Sequence, residues 1–333
     1  MRAAYIESLG DASAITVGEV PTPTPGPGEV LVKVGAASIN PIDLYLRSGR
    51  VKMPMSFPYV VGTDVAGTVE AVGRGATRYR PGDRVWGSNQ GILGRQGSVA
   101  DYVCTDERWL YATPPRLSDA EAASMALVGI TAHLGLFERA HLKPHETVYV
   151  AGGGGGVGSM VIQMAKATGA RVATTAGHER SLELCRSLGA DLVLNYKTDD
   201  VPARLREWAE DGIDVWFETQ REPDLMTIVP LLRKRGRAVL MAGRDATPSF
   251  PLGSFYPRNC SILGFAMFNY EPDDQLICAE DMTRWISQDR LKPIVGRAFP
   301  IEQAAEAQQF LEDNSVGGAG TLVGKVVITV DHE

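Results

Sequence analysis

Apolar residues in the first third of the chain follow the patterns of short strands. The segments EVLVKVGAASIN (29–40) and DVAGTVEAVG (64–73) alternate or run apolar at strand length. The stretches TPTPGPGE (22–29) and RPGDRV (80–85) are typical of turns, because proline and glycine interrupt regular structure. We therefore predict a β-rich domain with many short strands over residues 1–124.

The pattern changes period near residue 119. SDAEAASMALVGITAHLGLFERA predicts a helix that Ser118 or Asp119 caps. Apolar strands then alternate with helical segments, one of which is DLMTIVPLLRKRG (224–236). Strands are predicted at 146–153, 171–176, 191–196, 213–219, 237–243 and 259–267. Such alternation predicts βαβ units on a parallel sheet over residues 125–267.

The last part of the chain, residues 268–333, has two helical segments and the final strand GKVVITV (324–330). It is too short to form a separate α/β domain. We therefore predict that it returns to the first domain.

Composition and charge narrow the function classes. The chain has 333 residues, of which 44% are hydrophobic and 22% charged, as in an ordinary globular protein. The net charge of −7 argues against a nucleic-acid partner, since phosphate binding favours a basic surface. No apolar run approaches the roughly 18 residues of a membrane span, so we expect no membrane partner. Four scattered cysteines without a CxxC pair, and no signal peptide, predict a reduced, cytoplasmic protein.

Five consecutive glycines lie in AGGGGGVGSM (151–160), between a predicted strand and a predicted helix. The register Gly153-x-Gly155-x-x-Gly158 fits the dinucleotide fingerprint GxGxxG. In that motif the second glycine lets the backbone approach a pyrophosphate, and the third allows close packing of helix on strand. The helix N-terminus adds N–H groups and a partial positive charge. The predicted cofactor-binding residues here are Gly153, Gly154, Gly155, Gly156, Val157 and Gly158.

The end of the second strand of this domain bears on the choice of nicotinamide cofactor. NAD-binding proteins place an acid there, about 20 residues beyond the glycines, for the ribose 2′-hydroxyl. This chain has Ala176 and Gly177 at the turn, with His178 and Arg180 just beyond. A missing acid and a nearby base favour NADPH over NADH, with the 2′-phosphate paired to Arg180 and His178.

Taken together, these motifs resemble the medium-chain dehydrogenase/reductase superfamily, specifically its zinc-free quinone oxidoreductase (zeta-crystallin-like) branch. The similarity spans nearly the whole chain. The matching segments are INPIDLYLRSG (39–49), PYVVGTDVAGTVEAVG (58–73), RPGDRVWG (80–87), GSVADYV (97–103), ALVGITAHLGLF (126–137), GGGGVGSMVIQMAKATGARVATTAG (153–177), LGADLVLNY (188–196) and GTLVGKVVI (320–328).

The resemblance implies an α/β fold with two domains. One is a GroES-like β-rich catalytic domain, formed by residues 1–124 with 268–333. The other is a doubly wound Rossmann domain over residues 125–267 that binds NADPH. The resemblance also implies a homodimer or homotetramer, often paired through edge strands of the Rossmann domain.

For the active site, the resemblance implies that Asn40, Asp43 and Tyr45 line the nicotinamide side of the cleft. These three are the catalytic candidates, and the amide of Asn40 and the hydroxyl of Tyr45 are possible hydrogen-bond donors. Further implied cofactor contacts are Thr131, Gly177, Tyr196, Met241, Ala242, Gly243, Phe265, Ala266, Met267 and Lys325.

The resemblance also bears on metal binding. Zinc alcohol dehydrogenases of the superfamily carry Cys where this chain has Asn40, and a His-Glu pair where it has Thr63-Asp64. Zinc requires a compact set of Cys, His or carboxylate ligands, so we predict no metal. Two departures from the family stand out: the usual lysine for the 2′-phosphate falls at Ser181, and the fourth Rossmann strand ends in Glu218-Thr219 without a glycine.

These observations lead to the hypothesis of a zinc-independent oxidoreductase that transfers hydride from NADPH to a small electrophile. The acceptor would be a quinone or the C=C of an α,β-unsaturated carbonyl compound. One alternative is a reductase of a conjugated acid or thioester, such as a 2-haloacrylate or an enoyl-CoA, with Arg47, Lys52, Arg95 and Arg258 as candidate cations. Another is a non-catalytic NADPH-binding or RNA-binding crystallin-like protein.

Overall fold

The computed structural model describes residues 1–332, which form two compact units. The first unit contains Met1–Leu127, Pro272–Ala279 and the chain from Pro293 onward. The second contains Val128–Glu271 and Glu280–Lys292. The predicted boundaries at 124 and 268 lie near these limits. Residues 280–292, which the sequence placed in the first domain, group with the second unit.

A pair of hydrogen bonds accounts for part of that grouping. The backbone N–H of Lys292 donates to Gln163 Oε1 at 2.8 Å, and Gln163 Nε2 donates to the carbonyl of Lys292 at 3.1 Å. Gln163 belongs to the second unit, so it holds the end of this segment there.

The structure contains sixteen strands and nine α-helices within residues 1–332. The strands are β1 (Arg2–Ile6), β2 (Thr16–Glu19), β3 (Glu29–Ile39), β4 (Tyr59–Val60), β5 (Asp64–Val72), β6 (Arg84–Gly87), β7 (Tyr102–Asp106), β8 (Leu110–Ala112), β9 (Thr147–Val150), β10 (Arg171–Ala176), β11 (Leu192–Asn195), β12 (Ile213–Glu218), β13 (Leu232–Leu240), β14 (Ser261–Gly264), β15 (Val295–Pro300) and β16 (Lys325–Thr329). The helices are α1 (Pro41–Arg47), α2 (Asp119–His133), α3 (Gly156–Thr168), α4 (Glu179–Ser187), α5 (Val201–Trp208), α6 (Leu225–Leu231), α7 (Leu252–Phe255), α8 (Pro272–Ser287) and α9 (Ala304–Ser315).

The first unit is built around the long strand β3. Its sheet runs in the order β15-β16-β3-β5-β6-β8, with β7 also paired to β3, and a smaller sheet has the order β2-β1-β4. Apolar side chains of β3, β5 and β16 form the core, among them Val32, Val65 and Ile328. This arrangement confirms the predicted β-rich unit and brings β16, late in the chain, beside the end of β3.

The second unit is a parallel sheet in the order β11-β10-β9-β12-β13-β14. Numbered by chain order within this sheet, the strands read 3-2-1-4-5-6, the order of the Rossmann fold. The predicted fold class is therefore confirmed. The order reverses between β9 and β12, which is where such sheets bind their ligands.

One helix is long and apolar enough by composition to cross a membrane. It spans Asp119–Arg139, where α2 continues as a π-helical segment, Leu134–Arg139. Most of it is buried inside the protein, as is usual for a core helix of a globular fold. Length and composition therefore give only weak evidence for a membrane span.

Candidate active site and cofactor site

The predicted cofactor residues of the second unit meet at one edge of its sheet. Because all six strands are parallel, their carboxyl ends lie along the same edge. The glycine run follows β9, the first strand at the point where the order reverses. The other predicted residues follow the ends of neighbouring strands: Gly177, His178 and Arg180 after β10, Tyr196 after β11, Met241, Ala242 and Gly243 after β13, and Phe265, Ala266 and Met267 after β14.

Close packing explains the glycines of the run. A Cβ atom on Gly158 would lie 2.3 Å from the carbonyl oxygen of Gly152, and one on Gly154 would lie 2.8 Å from Cβ of Ser181. Gly155 is different, because its Cβ would meet only the Gly152 oxygen, at 3.4 Å. Helix α3 begins at Gly156, so the N–H groups of its first turn have no acceptor within the helix. Free N–H groups at a helix start are donors of the kind that bind anions such as a pyrophosphate.

Basic side chains gather beyond β10. Arg180 is exposed and forms no ion pair within residues 1–332. Glu179 pairs instead with Arg186 at 2.9 Å, so it does not neutralise Arg180. Lys197 Nζ lies 3.4 Å from His178 Nε2, which adds a third base that sequence reasoning missed. The sequence could have pointed to Lys197, because it directly follows Tyr196 just beyond the end of β11, the third strand of this sheet in chain order.

The end of β12 contacts the start of the glycine run. Thr219 Oγ1 donates to the carbonyl of Ala151 at 2.7 Å, and a Cβ on Gly152 would meet Gln220 Nε2 at 2.8 Å. Glu218 is buried, which raises the pKa of its carboxyl group. Its carboxylate accepts from Trp216 Nε1 at 3.0 Å and from the backbone N–H of Gln220 at 2.8 Å. The residues that depart from the family pattern therefore contact the first turn of the loop.

The remaining predicted contacts in this unit lie on two strand ends and a helix. Gly243 has φ +88°, and a Cβ there would lie 2.5 Å from the carbonyl oxygen of Arg221, so this turn requires glycine. The N–H of Phe265 donates to the carbonyl of Leu240 at 3.4 Å, which continues the β13–β14 pairing. Thr131 is buried in α2.

In the first unit, a buried polar cluster surrounds the start of α1. Asn40 precedes the helix, and its backbone N–H donates to Asp43 Oδ2 at 2.7 Å, as in a capping box. Thr63 Oγ1 donates to the same oxygen of Asp43 at 3.3 Å. The amide of Asn40 donates to Thr63 Oγ1 at 3.0 Å and to Asp64 Oδ2 at 2.7 Å. All four side chains are at most 2% exposed.

Lys325, at the start of β16, completes this cluster. Its Nζ donates to the carbonyl of Ile39 and to Asn40 Oδ1, both at 2.5 Å. The pairing of β16 with β3 brings these groups together, although 285 positions separate Asn40 from Lys325. Lys325 is 6% exposed, so its ammonium group lies inside the first unit.

Burial controls the electrostatics of the cluster. It raises the pKa of Asp43 to about 7, against hydrogen bonds from Asn40 and Thr63 that favour the ionised form. Burial also raises the pKa of Asp64 and lowers that of Lys325, while the attraction between them opposes both shifts. Asp43 Oδ1 is buried without a hydrogen-bond partner, so it is the oxygen that can carry a proton.

The three catalytic candidates occupy different environments. Asn40 already uses both amide hydrogens, so donation to a substrate would require one of its present bonds to break. Asp43 is buried at the third position of α1. Tyr45 is half-buried on the same helix, with the guanidinium carbon of Arg50 5.3 Å from its ring centroid. The structure thus brings Asn40 and Asp43 together and places Tyr45 two residues beyond Asp43, roughly 200° further around α1.

A glycine loop at the switch point of a Rossmann sheet, in a chain with a second β-rich unit, defines a nucleotide-dependent dehydrogenase or reductase. Family models agree: the alcohol dehydrogenase GroES-like domain matches residues 26–115, and the zinc-binding dehydrogenase matches residues 156–284. The chain is 30% identical over 330 residues to the quinone oxidoreductase of Pongo abelii, which covers 98% of this chain and 97% of that protein.

Solved structures show the same likeness. An NAD-dependent alcohol dehydrogenase matches with a TM-score of 0.90 and 30% identity, over 99% of this chain and 100% of that one. A mycobacterial protein solved in complex with NADPH matches with a TM-score of 0.86 and 28% identity, over 99% and 100%. The chain belongs to the medium-chain dehydrogenase/reductase superfamily, in its quinone oxidoreductase branch. It is an oxidoreductase of a family that binds a nicotinamide cofactor.

The family model over residues 156–284 is described as a zinc-binding dehydrogenase. The zinc-ligand positions that the resemblance implies, Asn40, Thr63 and Asp64, lie outside that match, and the side chains around them do not fit the ion. Asn40 and Thr63 offer a neutral amide and a hydroxyl, and the ammonium group of Lys325 binds among them. Within residues 1–332, no three His, Cys, Asp or Glu side chains come together as a metal site would require.

Proposed function

We propose that this protein transfers hydride from NADPH to a quinone or to the C=C bond of an α,β-unsaturated carbonyl compound. The observation that carries the proposal is the glycine loop at the switch point of the sheet, beside an uncompensated Arg180. Homologues that are quinone oxidoreductases support the choice of acceptor. Zinc-independence is part of the proposal, because the polar cluster of the first unit holds an ammonium group.

The cofactor supplies the hydride when it is bound. The chain must then stabilise the negative charge that develops on the acceptor oxygen. We assign this role to the hydroxyl group of Tyr45, a donor on the half-buried side of α1. Asn40, Thr63 and Asp43 fix the start of that helix through their hydrogen bonds and so position Tyr45.

Preference for NADPH over NADH would come from three bases beyond β10 and β11. Arg180 is free to pair with a 2′-phosphate, and Lys197 lies beside His178. Lys197 would replace the lysine that the family carries at the position of Ser181. Charge-assisted contacts of this kind are strong, and the 2′-hydroxyl of NADH would make none of them.

The acceptor in this proposal is a small uncharged electrophile. Three of the four cations considered for an acidic substrate are engaged within the fold. Arg47 is fully buried against Gln308 and Glu312, Arg95 donates to Asn89, and Arg258 donates to Val229.

The proposal further includes a cytoplasmic homodimer or homotetramer without nucleic-acid or membrane partners.

Calorimetric titration with NADPH and NADH, together with turnover of a panel of quinones and enones, tests the proposal. We expect NADPH to bind at least about tenfold more tightly than NADH, a difference of about 1.4 kcal/mol. Arg180→Ala should remove most of that difference. Arg180→Lys is the matched control, because it keeps the positive charge at the same position and leaves the Glu179–Arg186 pair intact, so it should keep most of the difference. Absence of nucleotide binding, or of NADPH oxidation with every acceptor, would refute the proposal.

A further inference from the structure

The buried ammonium group of Lys325 is the least expected feature of the first unit. A lysine is rarely buried without compensation, because removing its charge from water costs several kcal/mol. Here Nζ is held by two neutral oxygens, the carbonyl of Ile39 and Asn40 Oδ1. No carboxylate forms a direct salt bridge with it within the described chain.

The negative charge that balances Lys325 is that of Asp64, and Asn40 links the two side chains. The amide of Asn40 accepts from Lys325 at its oxygen and donates to Asp64 from its nitrogen, so it lies between the cation and the anion. Asp64 is fully buried and also accepts from the backbone N–H of Leu127 at 3.1 Å. Lys325, Asn40 and Asp64 therefore form a line in which a cation and an anion are joined by one neutral amide. The hydrogen bond from Lys325 fixes the orientation of that amide.

The resemblance aligns Asn40, Thr63 and Asp64 with zinc-ligand positions of the related zinc enzymes. In those enzymes the positive charge is a divalent ion. In this chain a positive charge is also present, but it is covalently attached through the side chain of β16.

We propose that Lys325 is a built-in cation that compensates the buried carboxylate of Asp64 and holds Asn40 in a single orientation. It is a positioning residue, since it acts on Thr63 and Asp64 through Asn40. Two consequences follow from the geometry. The ammonium group of Lys325 already supplies a cation to these oxygens in the intact chain, and removing the lysine side chain leaves them without one.

Chemical rescue of Lys325→Ala tests this assignment without measuring turnover, so its failure is distinguishable from failure of the proposed function. The variant should melt at a lower temperature than the wild type, because Asp64 loses its countercharge and a cavity is left. Ammonium chloride should raise that melting temperature by about 3 °C or more over sodium chloride at equal ionic strength. Lys325→Met is the matched control: it is equally neutral but fills the space, so ammonium should not stabilise it.

The variant Lys325→Ala/Asp64→Asn adds a second check, since without the carboxylate ammonium should have no specific effect. Equal responses of Lys325→Ala and Lys325→Met to ammonium would overturn the proposal. The wild-type protein provides a test that holds even where the variants fail to fold. Elemental analysis after expression with added zinc should find far less than one metal ion per chain, and a stoichiometric metal that depends on Asp64 would also overturn the proposal.

Discussion

At the scale of single residues, the polar cluster of the first unit contains one carboxylate more than its cation can compensate. Asp43 and Asp64 are both fully buried, and Lys325 supplies one positive charge. Asp64 is linked to that charge through Asn40, whereas one oxygen of Asp43 has no partner. Asp43 is therefore the residue at which the cluster takes up a proton near neutral pH.

The substitution Asp43→Asn should remove a pH dependence of stability. Burial raises the pKa of Asp43 from 3.8 to about 7, so between these values the folded chain binds one proton more than the unfolded chain. Its contribution to the free energy of unfolding is thus full below about pH 4 and is lost as the pH rises through 7. Asparagine mimics the protonated acid, so the variant should gain stability relative to the wild type between pH 5 and 8 in thermal melts.

Asp11→Asn is the control for that experiment. Asp11 is exposed, and hydrogen bonds from Ser13 lower its pKa, so its contribution is lost on acidification rather than on neutralisation. It should give no gain between pH 5 and 8. A constant difference between Asp43→Asn and the wild type over that range would contradict the assignment of the proton to Asp43.

The sequence predicted two members of this cluster, Asn40 and Asp43, as neighbours at one site. The spacing of Asn40 and Asp43 is that of a helix start followed three residues later by an acid, which is a local pattern. Lys325 was expected only as a cofactor contact, and its place beside Asn40 depends on the pairing of β16 with β3. No local pattern contains such a contact, because it joins residues that are distant in the chain.

At the scale of elements, the periodicity of the second unit was sufficient to predict all six strands of its sheet. The helix predicted over residues 224–236 is shorter in the structure, because α6 ends at Leu231 and β13 begins at Leu232. The helix ends because the backbone of Leu232 is extended, at φ −67° and ψ 144°, while Pro230 inside the helix already removes one of its hydrogen bonds. The sequence did not predict that Lys197, just beyond β11, lies beside His178, since a single exposed lysine is not part of any periodic pattern.

Gly155→Ala should separate cofactor binding from folding. The backbone of Gly155 is extended, at φ −81° and ψ 173°, and a Cβ atom would meet only the Gly152 oxygen at 3.4 Å. The fold should therefore tolerate alanine, while the added methyl group would stand where a pyrophosphate approaches the main chain. We expect the melting temperature to change little and the affinity for NADPH to fall by about tenfold or more, about 1.4 kcal/mol.

The matched control is Gly253→Ala in α7, where a Cβ atom would meet nothing within 4 Å. It should change neither the melting temperature nor the dissociation constant for NADPH measured by calorimetry. Unchanged affinity in a folded Gly155→Ala protein would show that no phosphate lies against this residue, and the register of the fingerprint would then be wrong.

At the scale of the whole molecule, the sheet of the second unit ends at β14, which has no second strand partner within residues 1–332. Strand β14 pairs with β13 on one side only, and its residues are partly exposed. An uncovered edge strand is a template for pairing with another strand. The expected homodimer or homotetramer, implied by the family resemblance, would satisfy this edge through a second copy of the same strand.

Ile262→Pro should weaken that association without breaking the sheet. The N–H of Phe265 points to β13, and because N–H groups alternate in direction along a strand, that of Ile262 points away from it. Proline at 262 therefore removes a hydrogen bond from the free edge only. Light scattering after size-exclusion chromatography should show a shift toward monomer for Ile262→Pro, whereas Ile262→Ala, which loses similar packing but keeps its N–H, should associate as the wild type does. If Ile262→Pro associates as the wild type does, the interface lies elsewhere. A monomer in both variants would show that the side-chain packing of Ile262, and not its N–H, supports association.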